Sequence, residues 1–204
     1  MVDAIRKKEA SQFFKPTLIA IAALIIAAAA LFSFSQSTGD MKMDHQGHMG
    51  SASESEFSSD EIMFAQMMIP HHQQAITISA FATKNSTNKD ILSLAAEISS
   101  EQAPEIEIMK GWITTAGEAL GMDHSMDMGG MLSQKDIDLL SKAKGVKFDQ
   151  LFLTGMIAHH QGAIKMVKMI ENSTNNEVKS FGASVIASQG KQITVMSELL
   201  KNIS

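Results

Sequence analysis

The sequence predicts an all-α protein, a four-helix bundle assembled from two tandem helical hairpins behind a signal or anchor segment, and three observations carry the prediction. The first is an internal repeat. Phe64-Ala-Gln-Met-Met-Ile-Pro-His-His-Gln-Gln-Ala-Ile76 returns as Phe152-Leu-Thr-Gly-Met-Ile-Ala-His-His-Gln-Gly-Ala-Ile164, 88 positions later. Gln102, Ile106 and Met109 return as Gln189, Ile193 and Met196, 87 positions later. The second is composition: the chain is 45% hydrophobic but 5% aromatic, with three prolines and no tyrosine. A core must then be built from Ile, Leu, Ala and Met, and the scarcity of proline leaves long helices possible. The third is punctuation. Asn85-Ser-Thr-Asn88 and Asn172-Ser-Thr-Asn175 separate two apolar-periodic stretches in each copy, so each copy reads helix, turn, helix. A lone hairpin cannot bury its apolar stripes, but two hairpins docked together can.

In chain order, Arg6, Lys7, Lys8 and Lys15 precede the uncharged apolar run from Leu18 to Phe32. A basic start followed by such a run is an export signal, either cleaved after Ser33-Phe34-Ser35 or kept as a membrane anchor, so residues 1–35 are set apart from the fold. Both outcomes make the remainder periplasmic or otherwise extracytoplasmic. Residues 36–58 form a Ser/Gly-rich linker without apolar period. It contains Met41-Lys-Met-Asp-His-Gln-Gly-His-Met49, in which Met43, His45 and His48 are candidate ligands of a metal-collecting arm.

The bundle domain is expected over 59–204, with repeat units 59–116 and 147–203. Ser58-x-x-Glu61 caps the first helix, and Thr87-x-x-Asp90 and Thr174-x-x-Glu177 read as capping boxes for the second helix of each unit. Pro70 and Pro104 lie inside helices of the first unit and predict kinks there, whereas Ala158 and Lys191 stand at the corresponding places of the second. Between the units, Gly121 to Met131 carries a second Met/His cluster with Met122, His124, Met126 and Met128. Ser133-Gln-Lys-Asp136 then caps a short helix, stopped by Gly145, within a crossover that returns the chain to pack the second hairpin on the first.

Sixteen methionines and no cysteine restrict the chemistry. Disulfides, Cys-ligated zinc and Cys nucleophiles are excluded, and a net charge of -5 argues against nucleic acid as a partner. On a helical wheel His72 and His160 fall within the apolar stripe and His71 and His159 at its edge. Met68 shares a face with His72, and Met156 with His160, at four-residue spacing. Met109 and Met196 lie on the partner helices, on one stripe with Gln102 and Gln189, which are expected to hydrogen-bond a histidine ring N–H or a carbonyl of the facing helix. Doubled buried imidazoles are costly unless paired or metallated. Thioether with imidazole suits Cu(I), and Ag(I) as its chemical surrogate, while Cu(II) can use the histidines with water or carboxylate. Calcium and magnesium need clusters of Asp and Glu, and zinc gains nothing from methionine.

The paired motif Phe-x-x-x-Met-Ile-x-His-His-Gln-x-Ala-Ile, followed by Gln-x-x-x-Ile-x-x-Met, resembles the family called domain of unknown function 305, over about residues 57–203. Met122-Asp-His-Ser-Met-Asp127 is similar to its members too. The resemblance implies a ferritin-like helical fold and an exported protein with a role in copper binding or tolerance. The family's Gln-x-x-Glu stands as Gln102-x-x-Glu105 but becomes Gln189-x-x-Gln192. The reading is a copper-binding protein, not an enzyme, that buffers copper or exchanges it with copper-transport partner proteins, touching a membrane only through its N-terminal segment. A ferritin-like metalloenzyme oxidising a metal ion is the alternative, although the chain lacks the Glu-x-x-His of di-iron bundles. A structural bundle with satisfied core histidines is the other.

Overall fold

The computed structural model describes residues 56–120 and 128–203. Residues 1–35, where a signal or anchor is expected, most of the expected linker with Met43, His45 and His48, and the loop residues Met122, His124 and Met126 lie outside the described residues. The protein is all-α, with helices α1 (Ser59–Ala80), α2 (Ala82–Asn85), α3 (Lys89–Thr115), α4 (Gln134–Lys142), α5 (Gly145–Met166) and α6 (Asn176–Asn202). A single 3-10 turn, Val167–Ile170, extends α5. Helices α1 and α3 form the first hairpin, and α5 and α6 the second.

The caps follow local chemistry. Ser58 and Glu61 form the expected reciprocal box, with the Ser58 N–H donating to Glu61 Oε2 at 2.7 Å. The boxes expected from Thr87 and Thr174 are replaced by asparagine caps one residue on. Asn88 Oδ1 accepts from the Asp90 N–H and Asn175 Oδ1 from the Glu177 N–H, both at 2.9 Å. Ser86 Oγ and Ser173 Oγ accept the N–H groups of these asparagines at 3.0 Å, so the serine and final asparagine hold each turn. Replacing Asn88 or Asn175 by Ala is expected to lower stability by about 1 kcal/mol each, against near zero for Thr87→Ala or Thr174→Ala, as read by urea denaturation.

Neither Pro70 nor Pro104 interrupts its helix. Gly145, expected to end α4, instead opens α5 at φ 55, a conformation that glycine adopts without strain and that turns the chain from one helix into the next. Helix α4 ends at Lys142, and the buried Asn85 reaches across to its last carbonyls, donating to Ser141 O at 3.0 Å.

The apolar interior is split in two. One half-core gathers Phe64 and Met68 from the start of α1, Met109, Trp112 and Ile113 from the end of α3, Met166 from the end of α5, and Val178, Phe181 and Val185 from the start of α6. The other gathers Ala75 and Ile78, Ile91 to Ile98, Phe148 to Met156, and Met196 from the opposite ends. Hence α1 and α6 run one way and α3 and α5 the other. The crossover must span the length of the bundle, and its described residues on either side of 121–127 meet α1. Gln66 Nε2 donates to Ala119 O at 2.7 Å, and Gln74 Oε1 accepts from the Leu132 N–H at 2.7 Å. Leu140 then enters the second half-core.

Candidate metal centre

Between its contributions to the two half-cores, each long helix carries buried polar residues. These are His71 and His72 on α1, Gln102 on α3, His159 and His160 on α5, and Gln189 and Gln192 on α6. They form a polar waist across the middle of the bundle. All four histidines have no solvent exposure, and all four feel one another electrostatically.

The rings are oriented unequally. His72 Nε2 donates to Glu105 Oε2 at 2.7 Å. His160 Nε2 lies 2.7 Å from Gln192 Oε1, and Gln192 Nε2 in turn donates to Glu101 Oε2 at 2.9 Å. Because the Gln192 amide nitrogen is committed to a carboxylate, its oxygen faces His160 and the imidazole must be the donor. His71 Nε2 makes a 3.4 Å contact with the Gly129 carbonyl. A neutral ring that donates through Nε2 keeps its lone pair on Nδ1, and Nδ1 of His71, His72 and His160 has no partner. His159 has none of good geometry at either nitrogen, only a looser approach to the His71 backbone carbonyl, which makes five buried ring nitrogens without a well-formed hydrogen bond.

Burial first, then the neighbouring His72, pushes His71 down to about 3 against the pull of the Gly129 carbonyl. His159 is pushed down to about 2 by burial, then by His71, His160 and His72, against the pull of the His71 backbone carbonyl. His160 falls to about 4, burial outweighing the Gln192 hydrogen bond. These three rings are therefore neutral at pH 7, the form in which imidazole ligates metals. Glu101 is raised by burial and by Glu97, opposed by Lys191.

His71 and His159 stack, with ring centroids 3.8 Å apart and planes 39° apart. Two imidazoles sharing one ion, each through a bond of about 2 Å, hold their centroids about 5–6 Å apart. In keeping with this, among the described residues no group of three or more His, Asp or Glu is arranged to hold one ion. For one ion to be shared by His71 and His159, these rings would have to part or rotate. Met68 and Met109 lie fully buried in one half-core and Met156 and Met196 in the other, so the sequence-predicted thioethers flank the waist from opposite ends. Met128 packs against the first half-core. The chain on either side of Met122, His124 and Met126 is anchored to α1, at Gln66 through Ala119 and at His71 through Gly129.

Gln102 and Gln189 are not the histidines' partners: both atoms of each amide are buried without a hydrogen bond. The residues one helical turn on, Glu105 and Gln192, take that place. The signal was present in the Gln-x-x-Glu and Gln-x-x-Gln spacing. The Gly129 carbonyl lies in a segment without apolar period and could not be placed from sequence.

A family model described as domain of unknown function (DUF305) matches residues 61–200. Among solved structures, a DUF305 protein from Streptomyces coelicolor, named as a candidate secreted protein, is 26% identical at a TM-score of 0.67, covering 70% of this chain and 91% of its own. A DUF305 fragment from Deinococcus radiodurans is 28% identical at a TM-score of 0.66, covering 71% and 97%. CopM in its Cu(II)-bound form is 29% identical at a TM-score of 0.61, covering 70% and 96%, and is also known in Cu(I)-bound and Ag-bound forms. Comparison with curated proteins finds no match. With the repeated His-His motif, the all-helical bundle and a family match over most of its length in hand, the chain belongs to the DUF305 family.

Proposed function

We propose that this protein binds copper outside the cytoplasm, taking Cu(I), with Ag(I) as its surrogate, and also Cu(II) on the waist histidines, and that it buffers or passes on the ion without turnover. One observation carries the reading: four mutually interacting imidazoles, buried in the centre of the bundle, leave five ring nitrogens without a well-formed hydrogen bond. Leaving a buried polar atom unpaired costs about 1–3 kcal/mol, and a soft ion is the ligand that these nitrogens and the flanking thioethers of Met68 and Met156 jointly suit. The copper-bound and silver-bound forms of CopM support the same choice of metal. Residues 1–35 supply the export. The clusters around Met43, His45 and His48 and around Met122, His124, Met126 and Met128 collect ions more loosely, since a chain segment must give up entropy to close around one.

The test is a Cu(I) titration against a chelator of known affinity. One full-length variant carries Gln at His71, His72, His159 and His160, and the other carries Ser at Met122, His124, Met126, Met128 and Met131. The helix variant is expected to lose the tightest site and the loop variant to keep it, with circular dichroism verifying that both remain helical. The reverse outcome removes the waist from the reading. Oxygen uptake above that of free copper on adding Cu(I) would favour the metalloenzyme instead.

A further inference from the structure

The two halves of the waist derive from one repeated motif, yet they differ in what stands behind the inner histidine. His72 donates to a carboxylate, Glu105 Oε2, at 2.7 Å. His160 donates to a neutral amide, Gln192 Oε1, also at 2.7 Å. The repeat geometry is kept and the charge is changed. We propose that the halves are specialised by oxidation state: the His72 half, backed by Glu105, selects Cu(II), and the His160 half, backed by Gln192, selects Cu(I). This rests on the copper reading above and assigns Glu105 and Gln192 as positioning, specificity-determining residues.

The physical basis is charge and basicity. A carboxylate accepting the Nε2 proton pushes electron density into the ring and makes Nδ1 a stronger donor, whereas an amide oxygen polarises it far less. Ions enter a region walled by two apolar half-cores, where a nearby countercharge is worth much more than in water. Cu(II) brings twice the charge of Cu(I) and gains correspondingly more from a carboxylate hydrogen-bonded to its own ligand. Cu(I) is satisfied by soft, neutral donors, which His160 and Met156 supply. A carboxylate does stand beyond Gln192, but Glu101 reaches His160 only through the intervening amide. Thioether supply does not separate the halves, since Met68 and Met156 stand at the same spacing before their histidines.

The experiment exchanges the two partners in the full chain. Glu105→Gln rebuilds in the first half the pairing that His160 already makes, so the ring stays oriented while its countercharge is removed. Gln192→Glu does the converse when paired with Glu101→Gln, because Glu101 Oε2 lies 2.9 Å from the replaced nitrogen and would otherwise share a proton with the new carboxylate. Cu(II) is titrated with electron paramagnetic resonance detection and Cu(I) against a competing chelator, and the loop clusters are common to every variant, so their contribution cancels. Glu105→Gln is expected to weaken the tightest nitrogen-coordinated Cu(II) site about 10–100-fold, with Cu(I) affinity changed less than about threefold. Gln192→Glu with Glu101→Gln is expected to add a second nitrogen-coordinated Cu(II) signal. Equal losses for both oxidation states in Glu105→Gln, or no loss for either, would overturn the assignment. His72→Gln separates the levels of inference. If it removes Cu(II) binding while Glu105→Gln does not, only the specialisation fails. If neither variant touches copper binding, the copper reading of the waist fails with it.

Discussion

Acidifying the metal-free protein from pH 7 is expected to unfold it steeply, with most stability lost before pH 4. His71, His159 and His160 have pKa values pushed down to about 3, 2 and 4 in the folded state, against about 6.5 in an unfolded chain. The folded state therefore binds fewer protons than the unfolded one between these limits. Stability is fully present above pH 6.5 and falls as the pH descends toward the folded values. Each ring contributes up to about 1.4 kcal/mol per pH unit. Two units below pH 6.5, three such rings outweigh much of the roughly 5–15 kcal/mol that holds a domain together. Denaturant melts followed by Trp112 fluorescence at a series of pH values would read the slope, and replacing His159 by Leu should reduce it by about one proton. A stability curve flat from pH 7 to 4 would show that the histidines are not buried as described.

A methyl group at residue 162 is expected to cost about 3 kcal/mol or more, lowering the melting temperature by roughly 6–12 °C. A Cβ on Gly162 would lie 1.8 Å from the Gly129 carbonyl oxygen and 2.7 Å from its carbon. The obstacle is backbone on one side and a helix on the other, so the crossover itself must lift. Its neighbour Gly130, at φ 88, is held as tightly, since a Cβ there would meet Ala158 O at 2.4 Å. Two controls isolate the cause. Gly155→Ala meets only the Leu132 side chain, at 3.1 Å, and should be mild. Gly190→Ala meets nothing within 4 Å and should stabilise the protein by up to about 1 kcal/mol through helix propensity. Calorimetry on the three variants gives the ranking, and a Gly162→Ala protein melting with the wild type would place the crossover elsewhere.

The same position shows how far the sequence could be read. Residue 162 is the repeat counterpart of Gln74, whose amide holds Leu132 of the crossover through Nε2 to O at 3.1 Å and Oε1 from N at 2.7 Å. Both copies of this position touch the crossover, one with a side chain and one by lacking it. The repeat was visible in the sequence, but the reason for its divergence needed the third segment in place. The helices and their order followed from periodicity, because apolar residues three and four apart report a buried face directly. The caps slipped by one residue because Thr87 and Asn88 both have capping side chains, and only the backbone decides which lies at the boundary. The histidines' partners slipped by one turn because a wheel gives the direction of a side chain and not its depth. Gln102 is buried at 2% exposure, while Glu105 stands nearer the edge, where its carboxylate meets the ring.

The waist also says something about selection. Folding alone gives no reason to keep five ring nitrogens without a well-formed hydrogen bond and two unpaired amides at the centre of a bundle. Leucine or methionine there would close the gap between the half-cores and raise stability, and such replacements of buried polar clusters are often neutral or favourable. Random mutation screened only for foldedness should therefore erase the waist, and quickly, since any of several single steps improves the fold. Its presence in both copies of the repeat is the trace of a requirement that opposes stability, of the kind that marks working sites in proteins.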